Sequence, residues 1–99
     1  MTRQLTLIVN DVPVELDYFV QAFIDHTVGG MMEALEGTGS IKTLSLSIDG
    51  DKLSIVLNGA PVPTNPFVSK IIISTTKGMV SSLKGVSVEV RKLQLNNTR

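Results

Sequence analysis

The chain has 99 residues, of which 42% are hydrophobic and 18% charged, and nine acidic residues balance nine basic ones. This length supports one hydrophobic core, so we expect a single domain over residues 1–99. The chain has no cysteine, which excludes disulfides and thiolate metal sites, and its single histidine excludes a multi-histidine metal centre within one chain. Zero net charge and only four aromatic residues argue against nucleic-acid binding.

The first half of the chain predicts a strand, a helix and a second strand. Residues 5–9 form a short apolar run that ends at the turn signal Asn10-Asp11. Residues 12–14 continue in an extended conformation because Pro13 restricts the residue before it. Asp17 is a good N-cap for a helix that closes at Gly37, and a strand follows over about residues 42–48.

The second half repeats this order after an Asp-Gly turn over residues 48–52, which predicts a hairpin. The strand over residues 53–57 ends at Asn58-Gly59, and Pro61 keeps the next residues extended. Asn65 followed by Pro66 predicts the start of a second helix, which closes at Gly85. A last strand is expected over about residues 91–96.

The two halves are also similar residue by residue. Shifted by 48 positions, residues 5–37 align with residues 53–85 without a gap, and 12 of these 33 pairs are identical. About two identities would be expected at typical composition. After one extra residue in the second half the match continues, and residues 41–46 align with residues 90–95. We interpret this as an internal duplication, with repeat one at about 5–48 and repeat two at about 53–96.

A duplicated βαββαβ chain predicts a ferredoxin-like sandwich in the α+β class. We expect a four-stranded antiparallel sheet with the first and third strands in its centre and both helices on one face. An arrangement in which two chains exchange halves stays open.

Helical periodicity assigns each helix a buried arc. The predicted arcs hold Phe19, Val20, Phe23, Ile24, Met31 and Leu35 in the first helix, and Phe67, Val68, Ile71, Ile72, Met79 and Leu83 in the second. A Thr-x-x-Gly-Met sequence occurs in both helices, and glycine within a helix costs about 1 kcal/mol relative to alanine. Two interpretations are open. The glycines allow close packing inside the chain, or the repeated residues line a small ligand pocket formed by Thr27, Gly30, Met31, Thr75, Gly78 and Met79.

The face of the predicted sheet away from the helices is one candidate surface for contacts between chains. Alternation along the strands places Ile8 and Val56 on this face. We expect them on adjacent central strands, as an apolar centre among small polar residues. A second subunit commonly covers such a face, although two scattered apolar residues on a solvated face would also fit the pattern.

The second helix is the other candidate surface. Lys70, Lys77 and Lys84 recur every seven residues and predict an outward stripe, flanked by Ile73 and Val80. Between Gln4 and Ile41 the chain has six acids and no lysine or arginine, whereas residues 53–99 have six bases and one acid. The acidic half of one chain can therefore meet the basic half of another, which favours association in a defined register.

The sequence contains no clear catalytic set. His26 is the only general base with a pKa ordinarily near neutrality, and the neighbouring Asp25 points about 100° away from it on a helix. No Gly-x-Gly-x-x-Gly, Walker or calcium-loop pattern is present. We therefore expect a non-enzymatic protein with no cofactor and no metal site.

These observations predict an interaction module that self-associates as a homo-oligomer and acts as a subunit or adaptor, with room for a further protein partner. The alternative is a small-molecule-binding regulatory module. ACT-type amino-acid sensors share the predicted topology, and their ligand site uses a strand-to-helix loop and a subunit interface. Here the equivalent loops contain residues 10–13 and 58–61. No apolar run approaches the roughly 18 residues of a membrane helix, so we expect a cytoplasmic protein without nucleic-acid or membrane partners.

Overall fold

The computed structural model describes residues 4–36, 41–83, 86 and 89–98. Its elements in chain order are β1 (Gln4–Val9), β2 (Val12–Val14), α1 (Tyr18–Glu36), β3 (Thr43–Asp49), β4 (Lys52–Leu57), β5 (Ala60–Pro61), α2 (Pro66–Ser81) and β6 (Lys92–Thr98). The bounds of β4 follow those of β1 by 48 residues, and the bounds of β6 follow those of β3 by 49. The result is a small α+β fold whose halves have the same order of elements, while the duplication itself stays a prediction.

The sheet shows that the predicted ferredoxin-like fold is wrong. It has six antiparallel strands in the order β2-β1-β6-β3-β4-β5, instead of four. The additional strands, β2 and β5, are short edge strands in segments that were predicted only as extended. The centre is formed by β6 and β3, the second long strand of each half, and the expected central strands β1 and β4 lie outside them.

Two tight turns account for this order. Asn10 and Asn58 have φ angles of 50° and 51°, and each reverses the chain so that β2 folds back on β1 and β5 on β4. One edge of β1 and of β4 is occupied in this way, and the opposite edges pair with β6 and β3. Hydrophobic alternation identifies strands and their buried face, but it is the same in both strand orders and does not distinguish them.

The core lies between one face of the sheet and the two helices. Its buried members are Leu5, Leu7, Val9, Leu44, Leu46, Ile48, Ile55, Leu57, Leu93 and Leu95 from the strands, Ile24, Val28, Met32, Ile72 and Val80 from the helices, and Val90 before β6. In each long strand every second residue points into this core, the period expected of a half-buried strand. The opposite face of the sheet is covered by no other element of the described chain.

Each helix packs on the sheet through only part of its predicted arc. Of the predicted residues, Ile24 and Ile72 are buried, and six more are partly buried against the core: Val20, Met31, Leu35, Val68, Met79 and Leu83. In α1 the buried apolar positions are 24, 28 and 32, and in α2 the equivalent positions 72, 76 and 80 are buried. Phe19 and Phe67, expected in the core, are each 72% exposed, while Phe23 and Ile71 are 53% and 51% exposed. Both helices have apolar residues around most of their circumference, so periodicity alone does not select the arc that packs on the sheet.

The predicted N-caps of both helices are confirmed. The Asp17 carboxylate accepts a hydrogen bond from the backbone N–H of Val20 at 2.8 Å. The Asn65 side-chain oxygen accepts one from Val68 N–H at 2.8 Å, and Pro66 is the first helical residue. Each cap satisfies one of the N–H groups that lack a partner within the helix.

The predicted end of the second helix is wrong. α2 ends at Ser81, and Ser82 is its C-cap. The hydroxyls of Ser81 and Ser82 donate to the carbonyls four residues earlier, which satisfies acceptors of the last turn without a glycine. Gly85 and Gly37, the predicted helix ends, lie outside the described residues.

Candidate interaction surface

The outer surface of the helix layer carries large apolar side chains that no part of the described chain covers. We define the outer helix face by Phe19, Phe23 and Gly30 of α1 and by their counterparts Phe67, Ile71 and Gly78 of α2. At about 200 Å² for a whole aromatic side chain, the exposed parts of the three phenylalanines and Ile71 amount to roughly 500 Å². This area is divided between two clusters, Phe19 with Phe23 and Phe67 with Ile71, each near the N-terminus of its helix. Exposed apolar clusters of this kind commonly mark a contact site.

The aromatic part of this face is already organised within α1. The rings of Phe19 and Phe23, one helical turn apart, have centroids 6.1 Å apart and are tilted by 41°. This separation and tilt lie in the range favoured by aromatic pairs. The two rings therefore form one preassembled apolar ridge on the outer helix face.

The two glycines of the outer helix face have no packing role inside the described chain. A Cβ atom built on Gly30 or Gly78 would have no other heavy atom of the described residues within 4 Å beyond its own helix backbone and chain neighbours. Neither glycine has a positive φ angle; among the described glycines, a positive φ occurs at Gly50 and Gly59. The interpretation that these glycines allow close packing inside the chain is therefore wrong.

A cleft of about 520 Å³ runs between the two helices. Its lining is mostly apolar and consists of Phe19, Val20, Phe23, Ile24, Thr27, Thr75, Met79, Ser82 and Leu83. The N-terminal half of α1 thus faces the C-terminal half of α2, so the helices run antiparallel. The cleft is open to solvent.

The cleft brings together part of the predicted ligand pocket. Thr27, Thr75 and Met79 line it, whereas Gly30, Met31 and Gly78 do not. The Thr27 hydroxyl donates to the carbonyl of Phe23, four residues earlier, at 2.7 Å.

A second hollow, of about 550 Å³, lies on the flank of α2 away from the cleft. It brings together Lys70, Ile73 and Lys77 of the predicted surface, with Ser69 and Ser74 among the other lining residues. The Lys77 ammonium donates to the carbonyl of Gly50 at 3.0 Å. This lysine therefore links α2 to the β3–β4 turn.

Val80 and Lys84 are the other two residues of the predicted helix surface. Val80 is buried in the core, because its position in α2 is two turns from Ile72 on the face that packs on the sheet. Lys84 lies outside the described residues.

The open face of the sheet lacks the predicted apolar centre. Ile8 on β1 and Val56 on β4 are separated by β6 and β3, which corresponds to roughly 14 Å at normal strand spacing. The strands between them present Ser45, Ser47 and Gln94, whose side chains are hydrogen-bonded to one another. This uncharged polar surface separates the two apolar residues.

The turns that precede the helices, proposed above as ligand loops, are held by their asparagines. The Asn10 side-chain oxygen accepts from the backbone N–H groups of Arg91 and Lys92, both at 2.9 Å, and its amide donates to the Glu89 carbonyl at 2.8 Å. Asn58 repeats this role, accepting from the N–H groups of residues 42 and 43 at 2.8 and 3.1 Å. Each asparagine ties its turn to the start of a central strand.

A buried polar pair between α1 and β6 was not predicted from the sequence. Asp25 and Asn97 are 4% and 1% exposed, and the Asn97 amide donates to the Asp25 carboxylate at 2.6 Å. The Asn97 side-chain oxygen has no hydrogen-bond partner among the described residues. His26 is exposed and does not share the buried environment of Asp25. The inward alternation of Leu93 and Leu95, continued to residue 97, is the signal that would have located this pair.

Among the described residues, no group of three or more histidine, aspartate or glutamate side chains is placed to hold a metal ion. Neither helix, over its described length, is long and apolar enough to cross a membrane. The chain matches no protein-family model, and no curated protein or solved structure is significantly similar to it.

Proposed function

We propose that this protein is a non-enzymatic cytoplasmic interaction module that self-associates through its outer helix face and serves as a subunit or adaptor. The observation that carries the proposal is the exposure of Phe19, Phe23, Phe67 and Ile71 on one side of the molecule. A standard protein interface buries about 800 Å² on each partner. The exposed parts of these four side chains total roughly 500 Å², which is well over half of that area. The residues that lie between them on the helices would add to the buried area.

A second copy of the chain is the partner that fits this face. The two helices of the outer helix face carry equivalent apolar residues, so this face can pack against the same face of a second copy across a two-fold axis. The charges support the same partner, since α1 contains acidic residues and no lysine or arginine, and α2 contains lysines and no acidic residue. Two copies therefore offer each other both apolar area and opposite charge.

Sedimentation equilibrium from about 1 to about 200 μM tests the proposal, a range that covers ordinary dimer affinities. We expect the wild-type chain to reach twice its mass of 10.7 kDa. The variant Phe67→Ser removes two buried rings from each dimer and should weaken association by about two to three orders of magnitude.

Two control variants show whether the effect is specific to the helices. Val12→Ser changes an exposed apolar residue of β2, and Val56→Ser changes one on the open face of the sheet. Both should associate like the wild type. A wild-type chain that stays monomeric throughout the range, or a loss of association in Val12→Ser equal to that in Phe67→Ser, would contradict the proposal.

The cleft supports a second candidate function, the binding of an apolar small molecule. Its volume of about 520 Å³ falls within the range of known ligand sites, roughly 300 to 1,000 Å³. The walls are mostly apolar, and the hydroxyls of Thr27, Thr75 and Ser82 are the polar groups that would orient a ligand.

A fluorescence titration with 8-anilinonaphthalene-1-sulfonate tests this second function. Thr75→Phe should fill the cleft and abolish dye binding, whereas Ser54→Phe, on the open sheet face, should leave the cleft site intact. Dye binding that is unchanged by Thr75→Phe would exclude the cleft as the binding site.

A further inference from the structure

The glycines of the outer helix face are unexplained by the fold of one chain. A glycine within a helix is destabilising relative to alanine, yet Gly30 and Gly78 occupy equivalent mid-helix positions with open space where a Cβ would lie. Both are exposed, and each lies about two helical turns after an exposed apolar residue, Phe23 in α1 and Ile71 in α2. A missing side chain at such a point allows another backbone or a large side chain to approach closely from outside.

Two limiting arrangements exist for two copies that meet through this face across a two-fold axis lying in the contact plane. With the axis along the helices, α1 of one copy lies on α2 of the other. With the axis across the helices, α1 lies on α1 and α2 on α2. In both arrangements the stacked helices are antiparallel. In the first this follows because α1 and α2 are antiparallel within one chain, and in the second because rotation about an axis across the helices reverses their direction.

The charges on the helices select the first arrangement. The cleft is lined by residues 19–27 of α1 and 75–83 of α2. If the middles of these two segments, Phe23 and Met79, lie at the same level in the antiparallel pair, a rise of 1.5 Å per residue puts Glu33 within about one residue of the level of Lys70. Stacking α1 on α2 therefore brings Glu33 near the partner's Lys70. Stacking α2 on α2 would instead offer Lys70 no acidic partner on the facing helix, because α2 contains lysines and no acidic residue.

The same register assigns a role to the glycines. In the selected arrangement, Gly30 lies within one residue of the level of the partner's Ile71, and Gly78 within one residue of the level of the partner's Phe23. We infer that Gly30 and Gly78 are the points of close approach in a homodimer in which α1 packs on the partner's α2, each glycine leaving room for a large apolar side chain. This inference rests on the proposed function and specifies the geometry of its interface.

Alanine substitutions test the inference because they should weaken association of the dimer but raise the stability of the monomer. In the chain with the wild-type interface, Gly78→Ala or Gly30→Ala should weaken association about tenfold or more, since an added methyl overpacks the contact. In the Phe67→Ser background, where association is suppressed, the same substitutions should raise the Tm by about 4 °C. Sedimentation equilibrium and thermal unfolding by circular dichroism measure the two effects.

The adjacent Gly29 provides the matched control. A side chain at this position projects about 100° away from one at Gly30, so Gly29→Ala should leave association unchanged. A charge exchange tests the register separately. Glu33→Lys and Lys70→Glu should each weaken association, and the double variant should recover most of the loss.

The outcomes separate this inference from the proposed function. If Phe67→Ser dissociates the dimer while Gly30→Ala and Gly78→Ala leave it equally tight, the close-approach role is wrong and the helix-face interface stands. If the double charge variant associates no better than either single variant, the arrangement of α1 on α2 is wrong. A wild-type chain that remains monomeric overturns both proposals.

Discussion

Substitution of Asn10 removes a compact set of interactions at the end of β1. Its side chain makes three hydrogen bonds to backbone groups of residues 89, 91 and 92, at 2.8–2.9 Å, and its own φ angle is 50°. At a net value of about 1 kcal/mol for each bond, loss of the amide should cost about 2–3 kcal/mol. Alanine adds about 1 kcal/mol because its Cβ disfavours the left-handed conformation.

Three variants at this position separate the side-chain and backbone contributions. Asp keeps the accepting oxygen and loses one donated bond, so Asn10→Asp should cost about 1 kcal/mol. Asn10→Gly should cost about 2–3 kcal/mol, because it loses all three bonds but tolerates a positive φ. Asn10→Ala should cost about 3–4 kcal/mol, a large part of the 5–15 kcal/mol typical of a domain.

Urea unfolding followed by circular dichroism in the Phe67→Ser background measures these free energies without a contribution from association. Asn58 is the internal comparison, because it has a φ of 51° and accepts from two backbone N–H groups in the same way. Asn58→Ala should therefore destabilise the chain to a similar extent. If Asn10→Gly is as stable as wild type, or if alanine is no worse than glycine, the reasoning about this turn is wrong.

Two other stability measurements test the remaining polar contacts. Asn65→Ala removes the N-cap of α2 and should cost about 0.5–2 kcal/mol in the same urea assay, with Asn65→Ser retaining most of the stability. Asp25→Ile and Asn97→Ile should each be destabilising, but the double variant should cost at least about 1 kcal/mol less than their sum, because each single change leaves a buried polar partner behind. Strict additivity would show that the 2.6 Å bond between Asp25 and Asn97 does not couple them.

The local elements of this fold could be predicted because their signals are local. The N-caps at Asp17 and Asn65 act on N–H groups three residues away, and the alternation in residues 5–9 and 53–57 reports burial of one strand face. Strand order is a different kind of property, since it depends on which edges of β1 and β4 are already occupied. Asn10 and Asn58 signal a turn in the sequence, but the return strands that follow are only two or three residues long.

The buried pair could have been identified in part. Alternation along β6 places residue 97 on the core face, so an inward Asn97 was predictable from the strand alone. Its partner was not, because Asp25 belongs to the other half of the chain, and its burial depends on which arc of α1 packs on the sheet. The counterparts in the other half are Ile48 and Ile73, so the repeat also offered no polar template for this contact.

The exposure of four residues predicted to be buried and the location of the candidate interaction surface have one physical origin. Each helix has two apolar stripes, and a sheet with helices on one side can bury only one of them. The stripe that includes Ile24 and Ile72 packs on the sheet, which leaves the stripe with Phe19 and Phe67 in solvent. Neither the exposed rings nor the helix-destabilising glycines stabilise an isolated chain. Both features are accounted for if a second copy buries that stripe.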